Sequence, residues 1–517
     1  MIGPVKIISG TAARVRSVSA AIACSSEHSN RRTGIAVGTF TWRGKRYRLA
    51  SGCARRGYSC SDPAQPARPA AGYAADVPGG MPMLDTIDHG AREPARAVVL
   101  GTEHPRSAAV VRSLARRGIA VDVADHCRPP TALWRGSWDI RRRYEVSTDG
   151  DEAVDALLQI GASGGGMLIP TNDFYLILAS RHHAALSTVF TVTVPPWPVL
   201  EPLMDKMAAR RLATAAGLEA PPQWQPSDPG ELAQILGGLD FVDQAYVLKI
   251  RRWDNGAADP RTLRRVAQAG ADANIARSRC EAIRADTGEY PIIEAVVPGA
   301  ADRCIGISMV VDQSHEPIIA YCVRRLKLQL YATGGFKHPY ELGANAFCES
   351  IDDPEAIALA TRYVRHACFT GAITVELKRD PRDERLKFIK ADCRFVRATG
   401  LSTALRLDMP TALYEVFSGS SARRAWPTRY RTGVKWLWLE AYVYSLWKNR
   451  NEISLPRELI HLARQLPSVR AFAYFDWWDP LPAIVLVATA RRRLKLLENP
   501  KGRVAARGGR MERAVSG

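Results

Sequence analysis

Long apolar runs are missing from this 517-residue chain, and none approaches the ~18 residues that argue a membrane span. Its ten cysteines form no Cys-x-x-Cys pair and no zinc spacing. Cys304, Cys322 and Cys368 lie in apolar segments, so reduced thiols in a cytoplasmic protein are expected. The first strand is not followed by Gly-x-Gly-x-x-Gly: its turn reads Gly101-Thr-Glu-His-Pro-Arg106, and a dinucleotide site gains little support. No Ser-His-Asp or Cys-His arrangement stands out, which removes the usual signs of nucleophilic catalysis. Acidic residues are scarce overall, giving a net charge of +19, but the excess sits at the ends. Residues 1–60 hold eleven Lys/Arg against one acid, and residues 491–517 hold nine against two. The body, 61–490, has 51 against 49, so it presents no evident nucleic-acid surface.

What is present is a soluble globular composition, 46% hydrophobic and 24% charged, in a chain long enough for several cores. Residues 1–95 lack sustained periodicity and are expected to be disordered, or to precede a start nearer Met81 or Met83. Order is expected from Ala97: a buried strand at Ala97–Leu100, a helix at Ser107–Arg117 and a strand at Ile119–Val123. These open a βαβ parallel sheet. A later strand, Met167–Ile169, ends at Asn172 and Asp173, either of which can cap the next helix or meet a ligand at the strand ends. Asp205-Lys206 begins another helix after the proline-rich boundary 195–198. Strands are expected at 245–250, 291–297, 305–311 and 317–322, and Asp353-Pro354 opens a helix to about His366. The aromatic-rich piece 421–490 is expected to pack on the body, with Lys435–Trp447 as an amphipathic helix whose rival place is a membrane surface. Residues 491–517 read as a basic tail after a short helix.

Phe369–Arg394 concentrates the charge that needs a reason. Gly371–Lys378 alternates as a half-buried strand, Asp380-Pro-Arg-Asp-Glu384 supplies turn chemistry, and Leu386–Asp392 alternates again. A turn near Arg382 and Asp383 sets Glu376 opposite Lys390 and Thr374 opposite Asp392. Lys390, Asp392 and Arg394 then share one face, because side chains alternate with period two. An edge hairpin with its charges in water is the plain explanation.

The sharper one is a resemblance. Val-Glu-Leu-Lys, an Asp-Pro-Arg-Asp turn and a strand ending in Arg394 resemble the metal-binding end of the ATP-grasp ligases. The order of motifs over 97–420 is similar as well, closest to the ATP-dependent carboxylate–amine ligase (carboligase) group. The resemblance implies an α/β ATP-grasp fold with an N-terminal parallel α/β lobe (96–198), a small α+β lid lobe (199–305) and a larger α+β lobe (306–420). A C-terminal aromatic-rich extension (421–490) follows. It implies ATP and one or two magnesium ions as cofactors, and small-molecule carboxylate and amine substrates. Lys206 and Lys249 would grip the triphosphate, Glu294 would read the adenine, and Asp302 would meet the ribose. Glu376 and Asp392 would hold metal, and Arg394 and Arg324 would serve the reaction, with Arg325 and Lys327 nearby. Two features depart from the family. Lys390 stands where a second acid belongs, and 251–265 offers one glycine, Gly256, where a glycine-rich phosphate loop is usual. The rival implied by these departures is a degenerate ATP-grasp module that binds nucleotide or a partner without catalysis.

Overall fold

The structure is a computed structural model that describes residues 36–42, 45–51, 95–126, 131–252, 273–330, 343–419, 425–448 and 453–486. Two compact units divide at Gly90. In the first, β1 (Ala36–Trp42) and β2 (Lys45–Ser51) pair antiparallel. The sequence reading expected no order there, yet both segments alternate with period two, as a hairpin requires.

The second unit begins with a five-stranded parallel sheet. Its strands are β3 (Arg96–Leu100), β4 (Ala120–Asp125), β5 (Arg142–Glu145), β6 (Met167–Pro170) and β7 (Thr191–Val192), in the order β5-β4-β3-β6-β7. Every residue of β3 is buried, as expected of a parallel strand covered on both faces. The helix Pro105–Ala115 has proline at its first position, and Gly118, with φ of +74°, lets the chain turn back into β4.

A small antiparallel sheet follows: β8 (Gln223–Trp224), β9 (Tyr246–Lys249) and β10 (Ile292–Ala295), in the order β8-β10-β9. It has its own core of Leu232, Leu236, Leu248, Cys280, Ile283 and Ile293, drawn from the sheet and the helices Pro229–Gly237 and Ala273–Thr287.

The third sheet has seven strands: β11 (Cys304–Val311), β12 (Pro317–Leu330), β13 (Gly343–Ile351), β14 (Gly371–Arg379), β15 (Leu386–Asp392), β16 (Lys435–Leu437) and β17 (Val469–Phe472). Their order is β15-β14-β11-β12-β13-β16-β17. Ile305, Ile307, Ile373 and Val375 face a core shared with the helix Pro354–His366, while Val310, Tyr321, Val323 and Ala372 face a second core shared with the helix Pro105–Ala115. Gly371 sits where a side chain cannot: its φ is +111°, and a Cβ there would meet the carbonyl oxygen of Thr193 at 2.7 Å.

The aromatic-rich piece is part of this sheet. Lys435–Leu437 forms a strand against β13, so the amphipathic helix expected from Lys435 starts instead at Leu439. The cause is pairing: Phe347, Cys348 and Glu349 offer a free strand edge that Lys435, Trp436 and Leu437 fill, burying Trp436 to 1% exposure. Arg112, buried on the helix Pro105–Ala115, donates to Asp479 Oδ2 (3.1 Å) and to the carbonyls of Tyr474 (2.7 Å) and Asp479 (2.8 Å). The basic tail lies outside the described residues. The six cysteines described are free thiols, and among the described residues no helix is long and apolar enough to cross a membrane.

Candidate functional site

The β14–β15 hairpin forms with the pairing that its alternation predicts: Glu376 opposite Lys390 and Thr374 opposite Asp392. Asp380 is buried in the turn and accepts from the backbone and guanidinium of Arg382, which fixes the reversal. The register shifts after Glu376, where Leu377 pairs with Phe388, so Ile389 is the extra residue of a bulge beside Lys390.

On one face of this hairpin the charges interlock. The Lys390 ammonium lies 2.7 Å from Asp392 Oδ2 and 3.6 Å from Glu376 Oε1. Arg325, from β12, reaches the same Glu376 oxygen at 2.5 Å. Gly306 lies between these strands in the same row as Val323 and Glu376. Arg394 is 3.6 Å from Asp392 and grips Asp173 with two hydrogen bonds of 2.7 and 2.9 Å. Burial pushes the Glu376 carboxyl upward, but Arg325 and Lys390 outweigh it and hold it below the usual range. Burial likewise opposes ionisation of Asp392, and Lys390 with Arg394 overcomes it. Lys390 itself is held as an ammonium, since Asp392 and Glu376 more than offset its burial.

The parallel sheet and its helices supply the opposite wall. Asn172 caps the helix Asp173–Arg181 by accepting from Tyr175 N at 2.9 Å, and Asp173 is left to pair with Arg394. The choice between two capping residues is thus settled, and each has its own task. Two residues that sequence reading did not single out stand nearby. Arg106 donates to the carbonyl of Thr171, and its charge and that of Arg394 act on one another. His104 is driven down to about 2 by burial and then by Arg106, Arg397 and Arg394, so it is neutral. An arginine in the first turn of a helix, where the macrodipole disfavours it, was the signal available. Asp173, Glu376 and Asp392 stand against Arg106, Arg325, Lys390, Arg394 and Arg397, so cations outnumber carboxylates among these groups.

Lys206 and the small sheet complete the cleft. Asp205 caps the helix Lys206–Ala215 through Met207 N and Ala208 N, and its other oxygen takes Arg251 (2.7 Å) and Arg252 (2.8 Å). These two arginines hold the end of β9 against that helix. Lys206 donates to the carbonyl of Ile250 at 2.7 Å. Its pKa falls to about 7, through burial first and then the positive charges of Lys249 and Lys390. Lys249 pairs with Glu294 across β9 and β10, and Gln223 donates to the other Glu294 oxygen. Glu294 is 3% exposed, as a carboxylate in so apolar a strand requires when its partners are close. Gln223 Oε1 is buried with no hydrogen-bond partner among the described residues.

Two expected residues lie elsewhere. Arg324 faces away from the cluster and pairs with Glu349 (2.5 Å), which also takes Lys435 (2.9 Å). Neighbouring residues of a strand point to opposite faces, so it is Arg325 that enters the cleft. Asp302 is exposed on the short turn Ala301–Arg303. Lys327 has no described side chain, and Gly334-Gly335 and the segment around Gly256 lie outside the described residues.

Solved structures similar to this chain share its general architecture. They are ATP-grasp proteins, the family that the sequence resembles. The biotin carboxylase domain of 2-oxoglutarate carboxylase from Hydrogenobacter thermophilus, crystallised with MgADP, ADP and bicarbonate, is 12% identical, with a TM-score of 0.49 over 66% of this chain and 74% of that one. The L-amino acid ligase from Bacillus licheniformis is 12% identical, with a TM-score of 0.43 over 63% and 75%. N5-carboxyaminoimidazole synthetase from Staphylococcus aureus is 13% identical, with a TM-score of 0.44 over 65% and 80%. Neither a family model nor a curated protein matches the sequence. At such values the likeness is general, and the chemistry of the cleft rests on its own residues.

Those residues do not fit a resident magnesium ion. Glu376 is taken by Arg325 and Asp392 by Lys390, at 2.5 and 2.7 Å. Among the described residues no group of three or more His, Cys, Asp or Glu side chains could hold a metal. Magnesium asks for several oxygen ligands, and here cations occupy the carboxylates that would offer them.

Proposed function

We propose that the cleft binds ATP and that the protein is an ATP-dependent ligase joining a carboxylate to an amine. One observation carries the reading. Burial first, and then the charges of Lys249 in the small sheet and Lys390 in the large one, depress the Lys206 pKa to about 7, so the three ammonium groups lie within electrostatic reach of one another. Three ammonium groups converge here from separate elements, Lys249 and Lys390 already beside carboxylates, and a triphosphate is an anion that would draw all three. Glu294, with the unpaired Gln223 Oε1 beside it, offers acceptors for an adenine amino group. In the ligase reaction a carboxylate oxygen attacks the γ-phosphorus, the bond to the β–γ bridging oxygen breaks, and ADP leaves. The amine then attacks the acyl carbon, loses a proton and displaces phosphate. Positioning and charge neutralisation carry such chemistry, and Arg325, Arg394 and Arg106 would hold the anionic groups, Arg325 and Arg394 from their pairs with Glu376 and Asp173.

A second reading, nucleotide binding without turnover, is favoured by the Lys390–Asp392 pair, which occupies an acid the chemistry would use. One measurement tests the nucleotide site that both readings share, and a second separates them. Lys206→Ala and Lys249→Ala should each weaken ATP by more than they weaken adenosine, and Glu294→Ala should weaken both. Equal losses in the lysine variants place them away from the phosphates and sink the nucleotide assignment. Hydroxylamine added with ATP and a panel of carboxylates should trap an acyl phosphate as hydroxamate. ATP binding with no hydroxamate from any carboxylate favours the second reading.

A further inference from the structure

The charges around Glu376 and Asp392 add up as they would with a divalent cation in place, yet the charges are the protein's own. Two carboxylates contribute −2, and Lys390 with Arg325 returns +2. The ammonium sits between the acids, 2.7 Å from one and 3.6 Å from the other, and the bulge at Ile389 lies directly beside it. Bulges re-aim side chains, and this one marks the point where Lys390 stays opposite Glu376 while the rest of the strand shifts register. The Lys390 side chain is 45% exposed, so an anion entering the cleft reaches it. A phosphate arriving here meets a neutral quartet with ammonium and guanidinium groups already in place. A divalent ion would have to displace Lys390 and then stand beside it and Arg325, at close range and with like charge.

We infer that Lys390, supported by Arg325, is the built-in cation of this cleft, so that triphosphate binding does not require a divalent metal ion. The inference rests on the reading that the cleft takes ATP. It assigns Lys390 a positioning role toward the phosphates, in the place where a metal would otherwise bridge acid and anion.

The test is the affinity of the full chain for ATP, by calorimetry, in excess EDTA and in excess magnesium. For the native protein the two dissociation constants should agree within about threefold. Lys390→Glu takes the quartet from neutral to −2. It should weaken binding in EDTA and open a gap of at least about tenfold in favour of magnesium. Lys390→Gln, which removes one charge and adds none, should fall between, and Lys390→Arg should keep the native ratio. Thermal unfolding of each variant shows whether it is folded at the assay temperature, and the native comparison stands without any variant. Native protein that binds ATP only with magnesium overturns the inference while leaving ATP binding intact. An unchanged ratio in folded Lys390→Glu overturns it too. Native protein that binds ATP under neither condition overturns the ATP reading and the inference with it.

Discussion

On the proposal that the cleft takes ATP, Lys206 would make that binding a proton-coupled event. Its pKa of about 7 in the free protein arises from burial and from Lys249 and Lys390, all of which penalise the ammonium. A bound polyphosphate reverses the balance, because an opposite charge within a few ångströms favours the charged form. Near pH 8 the free protein holds only about 0.1 proton on Lys206, so binding should take up about 0.9. Near pH 6 Lys206 is already charged, and its share falls to about 0.1. The sign follows: affinity is fully present below about pH 7 and is lost as pH rises through it, by up to about tenfold per pH unit. Calorimetry in two buffers of different ionisation enthalpy reads the uptake directly. At about pH 8 free ATP holds little proton of its own, and Lys206→Met supplies the background. No buffer dependence near pH 8, or the same uptake in Lys206→Met, would refute the placement of Lys206 against the phosphates.

Two further changes probe the frame around the cleft. Arg112→Ala leaves Asp479, 0% exposed, with Ser137 as its remaining side-chain donor, and should cost about 3–5 kcal/mol in denaturant unfolding. Replacing both partners, Arg112→Met with Asp479→Leu, should recover part of that loss, and no recovery would mean the segment is held by other contacts. Gly371→Ala forces a Cβ to 2.7 Å from the Thr193 carbonyl at a φ of +111° and should destabilise by at least about 1–3 kcal/mol, read by thermal melting. An unchanged melting temperature would show that the backbone there relaxes freely.

Local chemistry was legible and long-range pairing was not. The Glu376–Lys390 register could be read because both strands alternate and Asp380 to Glu384 fix the length of the turn. Asp205 announced its helix by type and position, and β3 announced a buried strand by its unbroken apolar run. Arg324 and Arg325 could not be told apart, since one residue of register decides which of two adjacent arginines enters the cleft. The Arg394–Asp173 grip joins residues 221 apart, and no periodicity carries that information. Lys435–Leu437 was read as the start of a helix because its apolar spacing suits one, whereas an open edge on β13 decides its state. The β1–β2 hairpin was missed because its surroundings are rich in Arg, Ser and Gly, which mask a short alternating pair.

The parallel pairing of β16 with β17 has a consequence for synthesis. Arg112 emerges from the ribosome early, but its carbonyl partners at Tyr474 and Asp479 are 362 and 367 residues later. Until that late segment arrives with β17, the outer edge of β16 stays uncovered while most of the chain is already made. Such late closure of non-local contacts slows folding and exposes apolar surface to neighbours in the meantime. A nascent chain halted between residues 420 and 468 would carry all the charged residues of the cleft and none of the strand that seals the sheet, and should bind chaperones that a full-length chain escapes.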